Sequence, residues 1–348
     1  MRNAPYLGLL LAACSSHGGG TPPSSTPIPA VTSDAIYVVN GGAASISVLD
    51  AATDQVIGTI QFTDGAWPHH ISRSDADELF VAFPGHDLSQ GHAAVPGDGD
   101  DEHDAHTGGA VARLAAATGE TLAAVTLDDG NHNALLGPDG QVWTALATTP
   151  GEVAVLAPDS LDEVARLPVG AAPSEISLGP DGARLFVADT GSDSVTVIDG
   201  TTRLIVSSVP VGDAPVGAWP GADGFMYVDN ELGQSITVLD PIALEIVRTI
   251  DLGFVPGMVA VAPTTQLWVT DPVGGRLVIL DGTSGAPLDE LALEAGAHAI
   301  VFSPTRQHAW ITNQDAGTVS VVDTLGLFVR ATIPVGAKPN GLLYREAP

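Results

Sequence analysis

Residues 186–199 read FVADTGSDSVTVID: an apolar run ending in an acid, a polar break, and a second run that alternates apolar with hydroxyl side chains before another acid. Alternation over six residues, with Gly and Asp in the break, is the pattern of two short strands joined by a tight turn. The second run recurs as SISVLD at 45–50, AVARLA at 110–115, EVAVLA at 152–157, SITVLD at 235–240, RLVILD at 276–281 and TVSVVD at 318–323. Successive runs end 41 or 42 residues apart, except for one spacing of 65 between the first and second.

Each unit has the same companions. A run ending in a polar residue comes before, as in Tyr37-Val38-Val39-Asn40 and Trp310-Ile311-Thr312-Asn313. A further run follows, as in residues 55–60, and then a Pro-led run such as 172–178. Four short strands in about 40–45 residues is the signature of one propeller blade. The chain is therefore expected to be all-β, a seven-bladed β-propeller of four-stranded antiparallel blades over residues 34–348. It begins on a second strand at Ala35 and ends on a Pro-led first strand from Lys338 to Tyr344. The C-terminal strand is thus expected to join the N-terminal blade and close the ring, which leaves no open junction. The second and third units carry Ala115 and Ala157 where the other five have Asp, so their following turns are expected to differ.

These units resemble the YVTN-type repeats of exported bacterial and archaeal β-propellers, the YncE-like group, over residues 35–345. The resemblance implies the architecture and a binding or scaffold role. It implies no particular activity.

Composition narrows the partners. Against 41 acidic residues stand 12 basic ones, a net charge of −29, which repels phosphate backbones and argues against nucleic acid. The start, MRNAPYLGLLLAAC, has a basic residue, a short apolar run and small residues before the sole cysteine. That is the layout of an export signal. Leu11-Ala12-Ala13-Cys14 is similar to a bacterial lipobox, so residues 1–14 are expected to be a signal peptide ending at a lipidated Cys14. Residues 15–33, rich in Ser, Gly, Pro and Thr, are expected to be a flexible linker. The expected location is the bacterial cell envelope, periplasmic or at the cell surface, with the membrane as partner through the lipid anchor.

The extra residues of the second unit form a His/Asp-rich insertion at 84–108, read as GHDLSQGHAAVPGDGDDEHDAH over 85–106. It holds His86, His92, His103 and His106, and it lies in the turn between second and third strands. In an antiparallel blade that turn shares a face with the lead-in to each innermost strand. Aligning the seven lead-ins puts His69, His132, Ser174, Val216, Gly257, His298 and Asn340 in one position. His70, Asn133, Glu175, Gly217, Met258, Ala299 and Gly341 follow in the next. Eight of the ten histidines thus fall on one face, around the channel mouth.

Imidazole with carboxylate suits zinc, copper, nickel or iron, and zinc or copper is the cofactor expected here. The candidate ligands are His69, His70, His132, His298 and Glu175 on the rim, and His86, His92, His103 and His106 in the insertion. Strand alternation predicts that only one of His69 and His70 faces the channel. His69 is favoured because it aligns with His132 and His298. Glu175 or His70 would complete a shell of four. No HExxH, CxxC or Ca²⁺-loop pattern occurs. Two other readings stay open. One is a metal-dependent enzyme of oxidase, lactonase or lyase type on the same face, by analogy with propellers that carry histidine-bound copper. The other is a metal-free scaffold for a protein or glycan.

Overall fold

A computed structural model describes residues 21–63, 66–89, 108–262 and 265–347. The described residues form seven antiparallel sheets, six of four strands and one of five. Blade 2 comprises Ile71–Arg73, Glu78–Phe83, Ala110–Ala115 and Thr121–Thr126. Blade 3 comprises Leu135–Leu136, Val142–Leu146, Gly151–Leu156 and Glu163–Val169. Blades 4 to 7 follow in the same order, opening with the innermost strands Pro173–Leu178, Pro215–Pro220, Val259–Val261 and Ala297–Phe302. This is the seven-bladed ring expected from the repeat.

Second and third strands are buried along nearly their whole length, as in Ala35–Asn40 and Ser194–Asp199. They are covered on both faces because each blade packs against two neighbours, and so they read as almost continuous apolar runs. The core accordingly lies between blades rather than at one centre. Tyr37, Ile46 and Val48 of blade 1 pack with Leu79, Val81 and Leu114 of blade 2, and Trp143 of blade 3 packs with Ile176 and Leu185 of blade 4. Outermost strands such as Val56–Phe62 alternate between exposed and covered residues.

Two polar devices recur around the ring. The acid closing the third strand accepts backbone N–H bonds from the residues two and three positions on: Asp199 from Thr201 and Thr202, Asp281 from Thr283 and Ser284. Ala115 and Ala157 lack that carboxylate, yet their turns close by the same backbone bond, Gly119 N–H to Ala115 O and Leu161 N–H to Ala157 O, as Arg203 N–H does to Asp199 O. The turn is therefore retained in blades 2 and 3, because the main chain alone closes it. The second device is the polar residue ending the second strand. Asn40 donates to Ser45 and Ser47, Asn230 to Ser235 and Thr237, and Asn313 to Thr318 and Ser320. Asp189 in blade 4 accepts from Ser194 and Thr196 instead. Blades 2 and 3 end this strand on Phe83 and Leu146 and lack the device.

Ring closure is as expected. Pro339–Arg345 pairs with Ala35–Asn40, with Ala35 opposite Arg345 and Asn40 opposite Pro339. Arg345 is fully buried and fixes the junction. Its Nε and Nη2 donate to Asp77 of blade 2 at 2.9 and 2.6 Å, and Nη1 donates to Val31 O at 3.1 Å.

The expected linker over 15–33 differs in its described part. Ser25–Thr26 adds a fifth strand to blade 1 by pairing with Phe62 and Gln61. Ile28 and Val31 donate backbone bonds to Thr118 O and Ala117 O of blade 2, and Val31 is buried in the core between the two blades. Backbone pairing needs no particular side chain, so a Ser/Thr/Pro-rich segment docks with few apolar anchors, Pro23, Ile28 and Val31 among them. The expected signal sequence and Cys14 lie outside the described residues. Among the described residues no helix is long and apolar enough to cross a membrane.

Candidate metal centre at the channel mouth

The innermost strands are irregular where they begin. Pairing registers shift between Pro173 and Ile176 in blade 4, Pro215 and Gly217 in blade 5, and Ala297 and Ile300 in blade 7. In blade 2 regular pairing starts only at Ile71. Ahead of it, His69 N–H donates to Ala82 O at 2.9 Å while Ala82 N–H donates to His70 O at 3.1 Å, so two residues stand opposite one. This is bulge geometry, and a bulge breaks the period of two.

The expectation that His69 and His70 point to opposite sides is therefore corrected. The ligand nitrogens of His69, His70 and His132 all lie within 4.8 Å of one another. Ring centroids are 4.4 Å apart for His69 and His132, and 4.7 Å for each of the other two pairs.

A belt of polar contacts from four consecutive blades holds these rings. Asn340 Nδ2 of blade 1 lies 2.6 Å from His69 Nε2. Glu175 Oε2 of blade 4 lies 2.5 Å from His132 Nδ1 and 3.7 Å from His70 Nε2. Asn133 Nδ2 donates to Glu175 Oε1 and to Ile176 O, both at 2.7 Å, and Ile176 N–H returns a bond to Asn133 Oδ1 at 3.1 Å. An ionised carboxylate can only accept, so His132 presents Nδ1–H to Glu175, and in the neutral ring Nε2 carries the lone pair. Gly341 N–H donates to His69 O, and a Cβ on Gly341 would sit 2.8 Å from that oxygen and 2.9 Å from His70 Cα. Glycine is what lets blade 1 approach this closely.

His69, His132 and Glu175 are buried, whereas the side chain of His70 is 13% exposed. A shallow cavity between blades 1 and 2 adjoins the cluster, lined by Trp67, His69, His86, Leu88, Lys338 and Asn340. His86 of the insertion thus comes to the site's edge. His92, His103 and His106 lie outside the described residues. His298 does not join the cluster. It belongs to blade 7, and Asn340 of blade 1 fills the intervening position and contacts His69. Sequence reasoning aligned Asn133, Asn340 and Gly341 with the candidate ligands but gave them no role. An amide or glycine beside a histidine at an aligned lead-in was the available signal.

The ring and its rim define a seven-bladed β-propeller with a largely buried three-histidine cluster at one mouth. Among curated proteins, a stretch of 77 residues, 22% of this chain, is 32% identical to the uncharacterised protein YncE of Salmonella typhimurium and 31% identical to that of Salmonella typhi. The match spans 22% of the length of those relatives as well. No family model matches the chain. Solved structures show the same architecture at low identity. A periplasmic gluconolactonase from Pseudomonas aeruginosa superposes with a TM-score of 0.72 at 21% identity, covering 90% of this chain and 99% of that one. A putative 6-phosphogluconolactonase from Bacteroides fragilis gives 0.70 at 14%, with 92% and 100% covered. A catalytically inactive histidine-to-alanine variant of virginiamycin B lyase from Staphylococcus aureus gives 0.64 at 13%, with 82% and 93% covered.

Proposed function

We propose that the protein is an exported, lipid-anchored propeller that binds a divalent transition metal, zinc or copper, at the channel mouth. The observation that carries this reading is the mutual approach of the His69, His70 and His132 ligand nitrogens to within 4.8 Å. Metal–nitrogen bonds of about 2.0–2.1 Å hold tetrahedral ligands about 3.4 Å apart, so the three rings would draw closer around a bound ion. The carboxylate beside His132 supports it further, since a metal-binding imidazole ordinarily gives its other N–H to such an acceptor. Leu11-Ala12-Ala13-Cys14 supports the anchor.

Calorimetric titration of the metal-stripped protein with Zn²⁺ and Cu²⁺ tests the proposal. One tight equivalent is expected for the native sequence and none for a His69→Ala, His132→Ala variant. Equal affinity in the two would remove the rim site. Complete absence of binding by the native sequence would return the protein to the metal-free scaffold for a protein or glycan.

A second reading has one observation of its own. His132, held by Glu175 at 2.5 Å, is arranged as a general base, and that geometry suits lactone hydrolysis or elimination without a metal. Turnover of aldonolactones that survives chelation and disappears in His132→Ala would favour it.

A further inference from the structure

We propose that two copies of the chain associate edge to edge through the outermost strand of blade 4, Ile205–Pro210, which pairs with its counterpart about a two-fold axis at Ser207. This is independent of the metal reading above.

An outermost strand presents one row of backbone N–H and C=O groups to its surroundings. It templates a further strand unless charge, proline or another segment blocks it. The seven blades meet this demand differently. In blade 1, Ser25–Thr26 already occupies the edge at Phe62 and Gln61, and Ile28 lies over Gly58, where an added Cβ would come 2.7 Å from Ile28 Cδ1. The same segment reaches blade 2, where Ser25 N–H donates to Thr121 Oγ1 at 2.9 Å. Charge guards four more edges, through Arg166 in blade 3, Arg248 in blade 5, Asp289 and Glu290 in blade 6 and Arg330 in blade 7. Blade 4 reads IVSSVP, with no charge and its one proline at the last position. Among the described residues no further strand pairs with it. Leu204, Ile205 and Val206 are consecutive exposed aliphatic residues at its start. At the same end of the ring, Arg184 Nη1 of blade 4 donates to Pro241 O and so holds the blade 5 turn that carries exposed Ile242 against blade 4.

The chemistry of this edge selects its occupant. A net charge of −29 opposes contact between copies wherever carboxylates would face one another. Antiparallel pairing of blade 5 with itself about Arg248 would set Glu245 against Asp251, and in blade 6 it would bring the Asp289 and Glu290 carboxylates of both copies together. Pairing of blade 4 about Ser207 sets Ile205 against Val209 and Val206 against Ser208, with no charge in the contact and Pro210 beyond its end. The arrangement is isologous, so one edge serves both partners and the assembly closes at two. The two blade 4 sheets then run on as a single sheet. The molecule already contains the precedent, since Ser25 and Thr26 pair with an uncharged outer strand of the same repeat.

Sedimentation and cross-linking of the full chain test this, with Cys14→Ala throughout so that no lipid is attached and any introduced thiol is the sole one. The chain is expected to sediment as a concentration-dependent dimer. Val206→Lys should weaken self-association at least about tenfold, because the two-fold axis brings the lysine twice into an edge that must stay uncharged. Val247→Lys, at the matching position of blade 5, makes the same change of charge and should leave the dimer intact. Ser207→Cys should give an interchain disulfide under mild oxidation, since directly opposed residues of an antiparallel pair have Cα atoms about 4.5–5.5 Å apart, within a disulfide's span. A chain that stays monomeric at every concentration would overturn the proposal. So would a dimer that Val206→Lys leaves as tight as before, one that Val247→Lys weakens equally, or one that Ser207→Cys does not cross-link.

Discussion

Asp189 is a carboxylate standing where blades 1, 5 and 7 place an amide, and Asp189→Asn is expected to stabilise the ring at neutral pH. The side chain is fully buried, and burial pushes its carboxyl from 3.8 up to about 6 against the opposing hydrogen bonds from Thr196 and Ser194. Between those two pH values the native state holds the proton more tightly than the unfolded chain does. Stability therefore falls as pH rises from about 4 to about 6 and stays lower above that. A displacement of about two pH units corresponds to about 3 kcal/mol, an upper bound for what ionisation costs the fold. Asn removes the charge and keeps the contacts, as Asn40, Asn230 and Asn313 do when each bonds two hydroxyls on the neighbouring strand. The two proteins should thus be nearly equal at pH 4 and differ by about 2–3 kcal/mol at pH 7.5, with the variant more stable. Urea unfolding of both at pH 4, 5, 6 and 7.5 measures this. A variant no more stable than the native sequence at pH 7.5, or a difference that does not grow across the series, would show that the carboxylate is not held against its ionisation.

Two further outcomes follow from contacts at the ring junction and the site. Asp77→Ala leaves the fully buried Arg345 guanidinium with Val31 O but without its ion-pair partner, and should cost about 3–5 kcal/mol in denaturant unfolding. Arg345→Met should cost less, because Asp77 is partly exposed and water can take over its solvation; the reverse order would mean that the latch is not what closes the ring. Gly341→Ala places a methyl against His69 O and His70 Cα and should weaken zinc binding at least tenfold while the ring stays folded by circular dichroism. Unchanged zinc affinity in that variant would show that blade 1 does not help to position the histidines.

The ring was legible because its period is carried by many residues at once. Apolar second and third strands, the polar residue at the end of the second, and the acid at the end of the third each repeat, and each has a physical job in every blade that keeps it. Closure by the C-terminal strand followed from the phase of the repeat alone. The site was legible in position but not in geometry. His69, His70, His132 and Glu175 were recognised by alignment, yet alternation assigned His69 and His70 to opposite sides because period two holds only in regular strand. The bulge that overrides it leaves no mark in composition. His298 aligned as well as His132 did, but alignment around a ring says nothing of distance, and one blade lies between it and the cluster. The docked segment at Ser25–Thr26 was read as linker since backbone pairing is blind to side chains.

The histidine cluster draws its three rings from just two adjacent blades, at positions that recur in all seven. The fold therefore offers seven quasi-equivalent sockets and furnishes one of them, in the two blades that have also given up the polar tie at the end of the second strand. The scaffold does not choose the address; the pair of repeats does. Insertion or deletion of a repeat outside blades 1 to 4 would leave the pair and the neighbours that hold it adjacent and carry the site into a ring of different size, whereas a recombination breakpoint between residues 70 and 132 would split it. Chains built on this repeat are expected to gain and lose such a cluster by exchanging a short run of neighbouring modules, without any change in the architecture that displays it.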